Sequence, residues 1–165
     1  MKNLEWKLID KSAWGDGPWQ NEPDKIQWLD EKTSLPCLAV RHKRYGNWCG
    51  YVGVGPEHPF FNMDSQDVYE KADVRVHGGL TFSDFCTGQE HGICHVVEPG
   101  ENDRVWWLGF DCSHSGDLSP GFKLLTNTIA PAIHFKFNEN YRNIDYIKAQ
   151  CSKLAEQLVN INEKQ

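Results

Sequence analysis

Residues 104–112, RVWWLGFDC, decide the fold of this chain, because apolar side chains alternate there with the two-residue period of a β-strand. The preceding stretch ICHVVE (93–98) is also strand-like, and PGEND (99–103) between the two supplies a Pro-Gly turn. We therefore predict a hairpin over residues 93–112. One face of its second strand carries Trp106, Leu108, Phe110 and Cys112, and the other carries Val105, Trp107, Gly109 and Asp111.

More strands are predicted on the N-terminal side of this hairpin. KIQWLD (25–30), CLAVRHK (37–43) and CGYVGVG (49–55) are separated by turn-forming residues and predict a three-stranded meander. DSQDVYEKA (64–72) predicts a short helix with Asp64 or Ser65 as its N-cap. DVRVHGGLTF (73–82) alternates again, with a bend at Gly78 and Gly79.

The hydrophobic period changes after Asn140. Apolar residues then recur at steps of three and four, which predicts an amphipathic helix over 140–162. We expect this helix to dock on the sheet, with docking on a second copy of the chain, and thus an oligomer, as the alternative. The predicted class is α+β, with a mainly antiparallel sheet of five to seven strands and one long C-terminal helix packed on it. We treat 1–165 as one domain, composed of a loop-rich part (1–24), a β-rich core (25–137) and the helix (140–162).

Composition limits the functional classes. Seventeen basic and 23 acidic residues give a net charge of −6, which disfavours a protein that binds nucleic-acid backbones in general. No apolar run is long enough to span a membrane, and the N-terminal MKNLEWKLIDKSAW lacks an apolar signal core, so a cytoplasmic protein is expected. Seven Trp, eight Phe and five Tyr make the chain rich in aromatic residues.

Six cysteines are expected to be reduced in that compartment. One cluster has metal-like content, with the spacing C-x4-H-x2-C-H. This spacing matches no established zinc motif, so we predict no cofactor and keep zinc as an alternative. The zinc alternative would use Cys86, His91, Cys94 and His95.

The candidate site comes from polar residues at strand ends beside glycine, where a ligand can approach the backbone closely. HGGLT (77–81) and FDCSHSGD (110–117) have this character. Imidazole and hydroxyl groups offer donors, glycine amides suit an anion, and an indole can stack on a ring. The predicted ligand-binding residues are His77, Gly78, Gly79, Thr81, Trp106, Trp107, Asp111, His114 and Asp117.

If these segments converge, three chemistries are open besides a purely structural role. A binding pocket without turnover needs only the groups named above. A metal-free enzyme would use His77 and His114 as proton carriers on a phosphodiester, with Asp111 orienting an imidazole. A His/Asp metal centre would activate water. The sequence contains neither HD nor HxHxDH, so no metal is predicted.

The HGGLT (77–81) and WWLGFDC (106–112) strings, with similarity over roughly residues 19–160, resemble a family of small, mostly uncharacterised proteins of tailed phages and prophages. The resemblance implies an accessory protein in the cytoplasm of an infected bacterium, and by analogy a counter-defence role. It carries no catalytic residue.

The leading prediction is a protein that binds and sequesters a small anionic, nucleotide-like ligand. The alternatives are a phosphodiesterase that cleaves a nucleotide signal, and an inhibitor that binds a host defence protein. The inhibitor would use the acidic, Trp-rich N-terminal part, whose acidic residues are Asp16, Glu22, Asp24, Asp30 and Glu31.

Overall fold

A six-stranded antiparallel sheet with a long C-terminal helix packed on it forms the fold, which confirms the predicted α+β class. The structure is a computed structural model and describes residues 1–86, 92–101, 103–129 and 139–161. The strands are β1 (Leu4–Trp6), β2 (Lys25–Leu29), β3 (Pro36–Arg41), β4 (Trp48–Val54), β5 (Phe82–Asp84) and β6 (Trp106–Asp111), and the helices are α1 (Ser65–Lys71), α2 (Pro120–Ile129) and α3 (Ile144–Val159). The strand order in the sheet is β1-β2-β3-β4-β6-β5.

The meander of β2, β3 and β4 is confirmed, and β6 extends it by pairing with β4. Alternation along β6 places Leu108 and Phe110 in the main core, while Trp107 lies in a smaller apolar cluster on the opposite face. Helix α3 covers the main core with Ile147, Cys151 and Leu154, all fully buried. The C-terminal helix is thus confirmed, with bounds slightly inside the predicted 140–162.

The predicted hairpin over 93–112 is wrong. Residues 93–98 do not form a strand, because β4 and β5 already occupy both edges of β6. The backbone N–H of Val96 instead donates to Oε1 of Gln27 on β2, at 2.7 Å. Sequence alternation identified the strand β6 correctly but not its neighbours.

The strand predicted at the start of 73–82 is also wrong, and the reason matters for the site. This segment runs beside α3 rather than joining the sheet. The backbone N–H of Arg75 donates to Gln157 Oε1 at 2.7 Å, and that of His77 donates to Gln150 Oε1 at 3.1 Å. Glutamine side chains of the helix therefore satisfy backbone groups that a strand would have used in a ladder. His77 is carried to the N-terminal half of α3.

A buried ion pair between Arg41 and Glu22, which we call the ion-pair centre, holds the N-terminal residues against the start of α3. Arg41 is fully buried and donates to Glu22 Oε2 at 2.7 Å, and Glu22 also accepts from the hydroxyl of Tyr141 and from the backbone N–H of Ile144. Burial raises the pKa of Glu22, but hydrogen bonds from Tyr141, Ile144 and Arg41 outweigh it and bring the pKa below its usual value. The residues that precede α3, and the site beside them, are anchored in this way.

None of the described helices combines the length and the apolar character that a bilayer-spanning helix requires.

Candidate functional site

Four of the predicted polar residues meet beyond the end of β6. His77 Nε2 lies 2.7 Å from Asp117 Oδ2, and the rings of His77 and His114 are 5.5 Å apart, edge to face. His114 Nδ1 lies 3.8 Å from Oδ1 of Asp111 and 3.8 Å from Oδ2 of Asp117. The structure therefore brings together two imidazoles and two carboxylates from two segments that are more than 30 residues apart, which we call the His-Asp cluster.

The turn after β6 is shaped by its own two carboxylates. Asp111 Oδ1 accepts from the backbone N–H and the hydroxyl of Ser113, at 3.0 and 2.6 Å. Asp117 Oδ2 accepts from the backbone N–H of His114 at 3.1 Å, and the backbone N–H of Asp117 donates back to the His114 carbonyl at 2.9 Å. Asp residues favour such local bonds to nearby backbone, which is why this sequence turns here. The result is a tightly held loop with His114 at its tip.

Thr81 joins the cluster through Asp111. Its hydroxyl donates to Asp111 Oδ2 at 3.0 Å, just before β5 begins. Burial raises the pKa of Asp111, but hydrogen bonds from Ser113 and Thr81 and the nearby His114 outweigh it and lower the pKa below the usual range. Asp111 is consequently a carboxylate at neutral pH.

His77 uses both of its ring nitrogens inside the protein. Nε2 faces Asp117, and Nδ1 lies 2.8 Å from the hydroxyl of Tyr146 in the first turn of α3. Burial raises the pKa of Tyr146, so its hydroxyl keeps its proton and can donate to Nδ1. A neutral His77 protonated at Nε2 satisfies both contacts at once. Both ring nitrogens of His77 are thus engaged by other protein groups.

Asp117 is the centre of the cluster, with only 2% of its side chain exposed. Its Oδ1 accepts from Arg142 Nε at 2.8 Å, and its Oδ2 accepts from His77 and from the backbone of His114. Burial raises the pKa of Asp117, but these hydrogen bonds together lower it below the usual value. The guanidinium of Arg142 balances the charge of a buried carboxylate that would otherwise be costly.

His114 differs from His77 because it is partly open. Its side chain is 38% exposed, while its Nδ1 is buried and has no hydrogen-bond partner among the residues that the structure describes. Gly78, with φ of +67°, packs directly on the imidazole, and any Cβ there would overlap the ring. His114 therefore offers a ring nitrogen that no described group engages, beside two carboxylates.

A cavity of about 450 Å³ opens beside His114, which is within the usual size range for a small-molecule site. The rings of Tyr45 and Phe122 form an aromatic wall and pack edge to face at 5.8 Å. Phe122 is about half exposed, so apolar ring surface faces the solvent there. The residues that line the cavity are Tyr45, Ser113, His114, Ser115, Gly116, Asp117, Ser119, Phe122 and Glu139.

The structure does not bring the predicted tryptophans to this place. Trp106 and Trp107 begin β6, whereas the cluster follows its other end. Both indoles are buried: Trp106 packs on Phe61 and Phe85, and Trp107 lies against His95. Strand alternation alone could not show which end of the strand would be near a cavity. The aromatic surface at the cavity comes from Tyr45 and Phe122 instead.

The zinc alternative is not supported by the placement of its cysteines. Cys86 and Cys94 form a disulfide with their Cα atoms 4.8 Å apart, so neither sulfur is a thiolate while that bond is intact. His91 lies outside the described residues, and His95 packs on Trp107. The expectation that every cysteine is reduced is therefore wrong for this pair, while Cys37, Cys49, Cys112 and Cys151 are free.

The acidic N-terminal part presents less charge than its sequence suggests. Asp24 and Asp30 are buried, and Glu22 belongs to the ion-pair centre with Arg41. Asp24 accepts from Lys11 at 2.8 Å and from the backbone N–H of Leu8. Of the five acidic residues named for the inhibitor alternative, only Asp16 and Glu31 are exposed.

Sequence reasoning missed Tyr146, Arg142, Tyr45 and Phe122. Arg142 and Tyr146 precede or begin α3, and the guanidinium lies 4.8 Å from the phenol ring, as the four-residue spacing allows. Nothing in the sequence links these two residues to His77, which is about 70 positions earlier. Phe122 lies in the first turn of α2, which begins at Pro120.

Comparison with protein-family models, with curated proteins and with solved structures found no match to this chain.

Proposed function

We propose that this protein binds and sequesters a small anionic, nucleotide-like ligand in the cavity beside His114. The observation that carries the proposal is the composition of the cavity wall. Two aromatic rings, Tyr45 and Phe122, share one cavity with serine hydroxyls and an imidazole. Flat rings suit a nucleobase, and hydroxyl and imidazole donors suit a phosphate or a similar anion.

Charges around the cavity indicate where the anionic part of the ligand belongs. Asp117 lines the cavity, but Arg142 compensates its charge. Glu139 is the other carboxylate of the wall. We therefore expect the anion at His114 and Ser115 rather than at Ser113, whose hydroxyl already donates to Asp111, with the ring portion against Phe122.

A phosphodiesterase is the second candidate, and the position of His114 favours it. Carboxylates on the Nδ1 side of His114 are arranged as they would be to stabilise an imidazolium during proton transfer. His77 contributes less to this mechanism than the sequence suggested, because Asp117 and Tyr146 occupy both of its ring nitrogens. An enzyme of this type would thus rely on His114 as its proton carrier.

The biological setting rests on the phage resemblance alone. We propose an accessory, counter-defence role, in which holding a nucleotide signal would suffice without turnover. The inhibitor alternative has less support because three of its five acidic residues face inward or form internal ion pairs.

Incubation with a panel of cyclic nucleotides and ADP-ribose-type signals tests these proposals. After denaturation of the protein and chromatography, intact ligand recovered from the protein indicates sequestering. New products that disappear with His114→Gln indicate an enzyme. No depletion of any panel member contradicts both proposals.

Two variants of α2 form a matched pair for the same assay. Phe122→Ala removes an aromatic wall of the cavity, whereas Leu124→Ala truncates a neighbouring exposed side chain that does not line it. Phe122→Ala is expected to weaken retention about 10-fold or more, in line with the loss of one stacked base. Equal retention by both variants would place the ligand elsewhere.

A further inference from the structure

We propose that the His-Asp cluster is a binding site for one divalent transition-metal ion, of the zinc class, held by His77, His114 and Asp117. Each of these side chains offers one ligand atom, and the three atoms lie within 4.8 Å of one another. Two imidazole nitrogens and one carboxylate oxygen are a ligand set that Zn²⁺ and Fe²⁺ both accept. The sequence prediction assigned no metal here, because the ligands come from segments without a metal motif.

Distances within the cluster suit an ion after a small adjustment. Ligand atoms about 2.0–2.1 Å from a tetrahedral zinc lie roughly 3.4 Å from one another. His114 Nδ1 is 3.8 Å from Asp117 Oδ2, and His77 Nε2 is 2.7 Å from the same oxygen. His114 can move closer, since its side chain is 38% exposed and its Nδ1 is not engaged by any described residue. The His77–Asp117 pair must open by about 0.7 Å, as expected when an ion replaces the proton between these two atoms.

The surroundings of His77 allow it to become a metal ligand while it keeps its hydrogen bond to Tyr146. A ligating Nε2 must give up the proton that it now directs at Asp117. A neutral His77 does so by carrying its proton on Nδ1 instead, so no net proton is released. The Tyr146 hydroxyl, which lies 2.8 Å from Nδ1, then changes from donor to acceptor. Metal-binding histidines commonly have such a partner on the second nitrogen.

Asp117 is also prepared for this role. Arg142 holds Oδ1 at 2.8 Å and leaves Oδ2 directed at the two imidazoles. Three protein ligands leave a fourth position open, as in zinc sites that bind water or substrate. His114 and Asp117 also line the cavity, so an ion would sit at the cavity wall and add positive charge beside the carboxylates. This last point rests on the proposed ligand function, whereas metal binding itself does not.

Zn²⁺ and Co²⁺ alone, added to the metal-stripped and untagged full chain, test the site without any organic ligand. The wild type is expected to bind one ion per chain in competition with a chromophoric chelator. His114→Gln, which replaces a partly exposed side chain, should weaken binding at least 10-fold, while His42→Gln, an exposed histidine outside the cluster, should bind like the wild type. Circular dichroism establishes that each variant is folded.

Tyr146→Phe separates a metal ligand set from a merely structural cluster. It leaves the three ligands in place but removes the partner of His77 Nδ1, so it should weaken binding by about 10- to 100-fold. Failure of the wild type to bind an ion, or equal affinity in wild type and His114→Gln, overturns the proposal. A Co²⁺ spectrum with intense sulfur-to-metal charge-transfer bands would also overturn it, because the ion would then be bound by cysteine.

Discussion

Gly78 lies against the imidazole of His114 so closely that a Cβ on the glycine would stand 2.1 Å from Cε1 of the ring. The glycine also has a φ of +67°, which L side chains rarely adopt. Its neighbour Gly79 has a similar φ of +88°, but a Cβ there would meet nothing within 4 Å. Both glycines therefore need a positive φ, but only Gly78 is in contact with the imidazole of His114.

Alanine at each position separates backbone strain from contact with the site. We expect Gly78→Ala and Gly79→Ala to lower the unfolding free energy by similar amounts, about 1–3 kcal/mol, because both force a side chain onto a positive φ. Only Gly78→Ala should shift the imidazole resonances of His114 in NMR spectra, since the half-open ring moves to avoid the new methyl group. Equal shifts in the two variants would show that the close contact does not exist in solution.

Arg41 is predicted to be one of the most sensitive positions for stability. Its side chain is fully buried, lies 2.7 Å from Glu22 and 3.3 Å from Asp24, and packs on the ring of Trp48 at 4.2 Å. Arg41→Met leaves the Glu22 carboxylate without its cation, while Asp24 keeps its ion pair with Lys11, and should cost about 3–5 kcal/mol in chemical denaturation.

The matched control for Arg41 is Arg75→Met. Arg75 forms an ion pair with Asp73, but its side chain is 75% exposed, so we expect no measurable change in stability. If both variants lost a comparable amount of unfolding free energy, burial would not be what makes the Arg41 ion pair stronger than the Arg75 ion pair.

Acidification should destabilise the protein partly through Glu22. Its pKa in the folded state is lower than usual, because hydrogen bonds from Tyr141, Ile144 and Arg41 outweigh the effect of burial. A carboxyl with a lowered folded pKa stabilises the fold above its unfolded pKa of about 4.3, and this contribution is lost as the pH falls through the folded value. The unfolding free energy is thus expected to decline from about pH 5 downwards.

Glu22→Gln tests this pH dependence directly. The variant should be less stable than the wild type at pH 7, and the difference should narrow towards pH 3 as the wild-type carboxyl becomes protonated. Denaturant titrations across this range measure both values. A difference that stays constant with pH would exclude Glu22 as a contributor to acid sensitivity.

Two substitutions in α3 test whether this helix packs on the sheet of its own chain or on a second copy of the protein. Leu154 is fully buried in the main core, whereas Val159, the last residue of the same helix, is half exposed. Leu154→Ala should cost about 2–5 kcal/mol because it leaves a cavity beneath α3. Val159→Ala should change stability by less than about 0.5 kcal/mol. If Leu154→Ala instead kept its stability and reduced the mass in solution, α3 would be an oligomer contact.

The elements with a clear period were predictable. The meander, α1 with its Asp64 cap and the amphipathic helix α3 follow from local patterns, and Asp64 Oδ1 accepts from the backbone N–H of Asp67 at 2.9 Å as expected for an N-cap. The predicted strand pairing was wrong where a side chain, rather than a neighbouring strand, forms the hydrogen bonds with the backbone. Gln27 satisfies the backbone of Val96, and Gln150 satisfies that of His77, so neither segment entered the sheet.

For this protein, the order of residues alone determined the class of fold, the buried faces of β6 and α3, and the polar segments from which a site could be built. Those properties depend on contacts between residues that are close in the chain. Only the tertiary structure decided that His77 meets Asp117 and Tyr146, that Trp106 and Trp107 lie away from the cavity, and that Phe122 takes their place. These contacts join distant segments, and their partners are chosen by the packing of the whole sheet against α3.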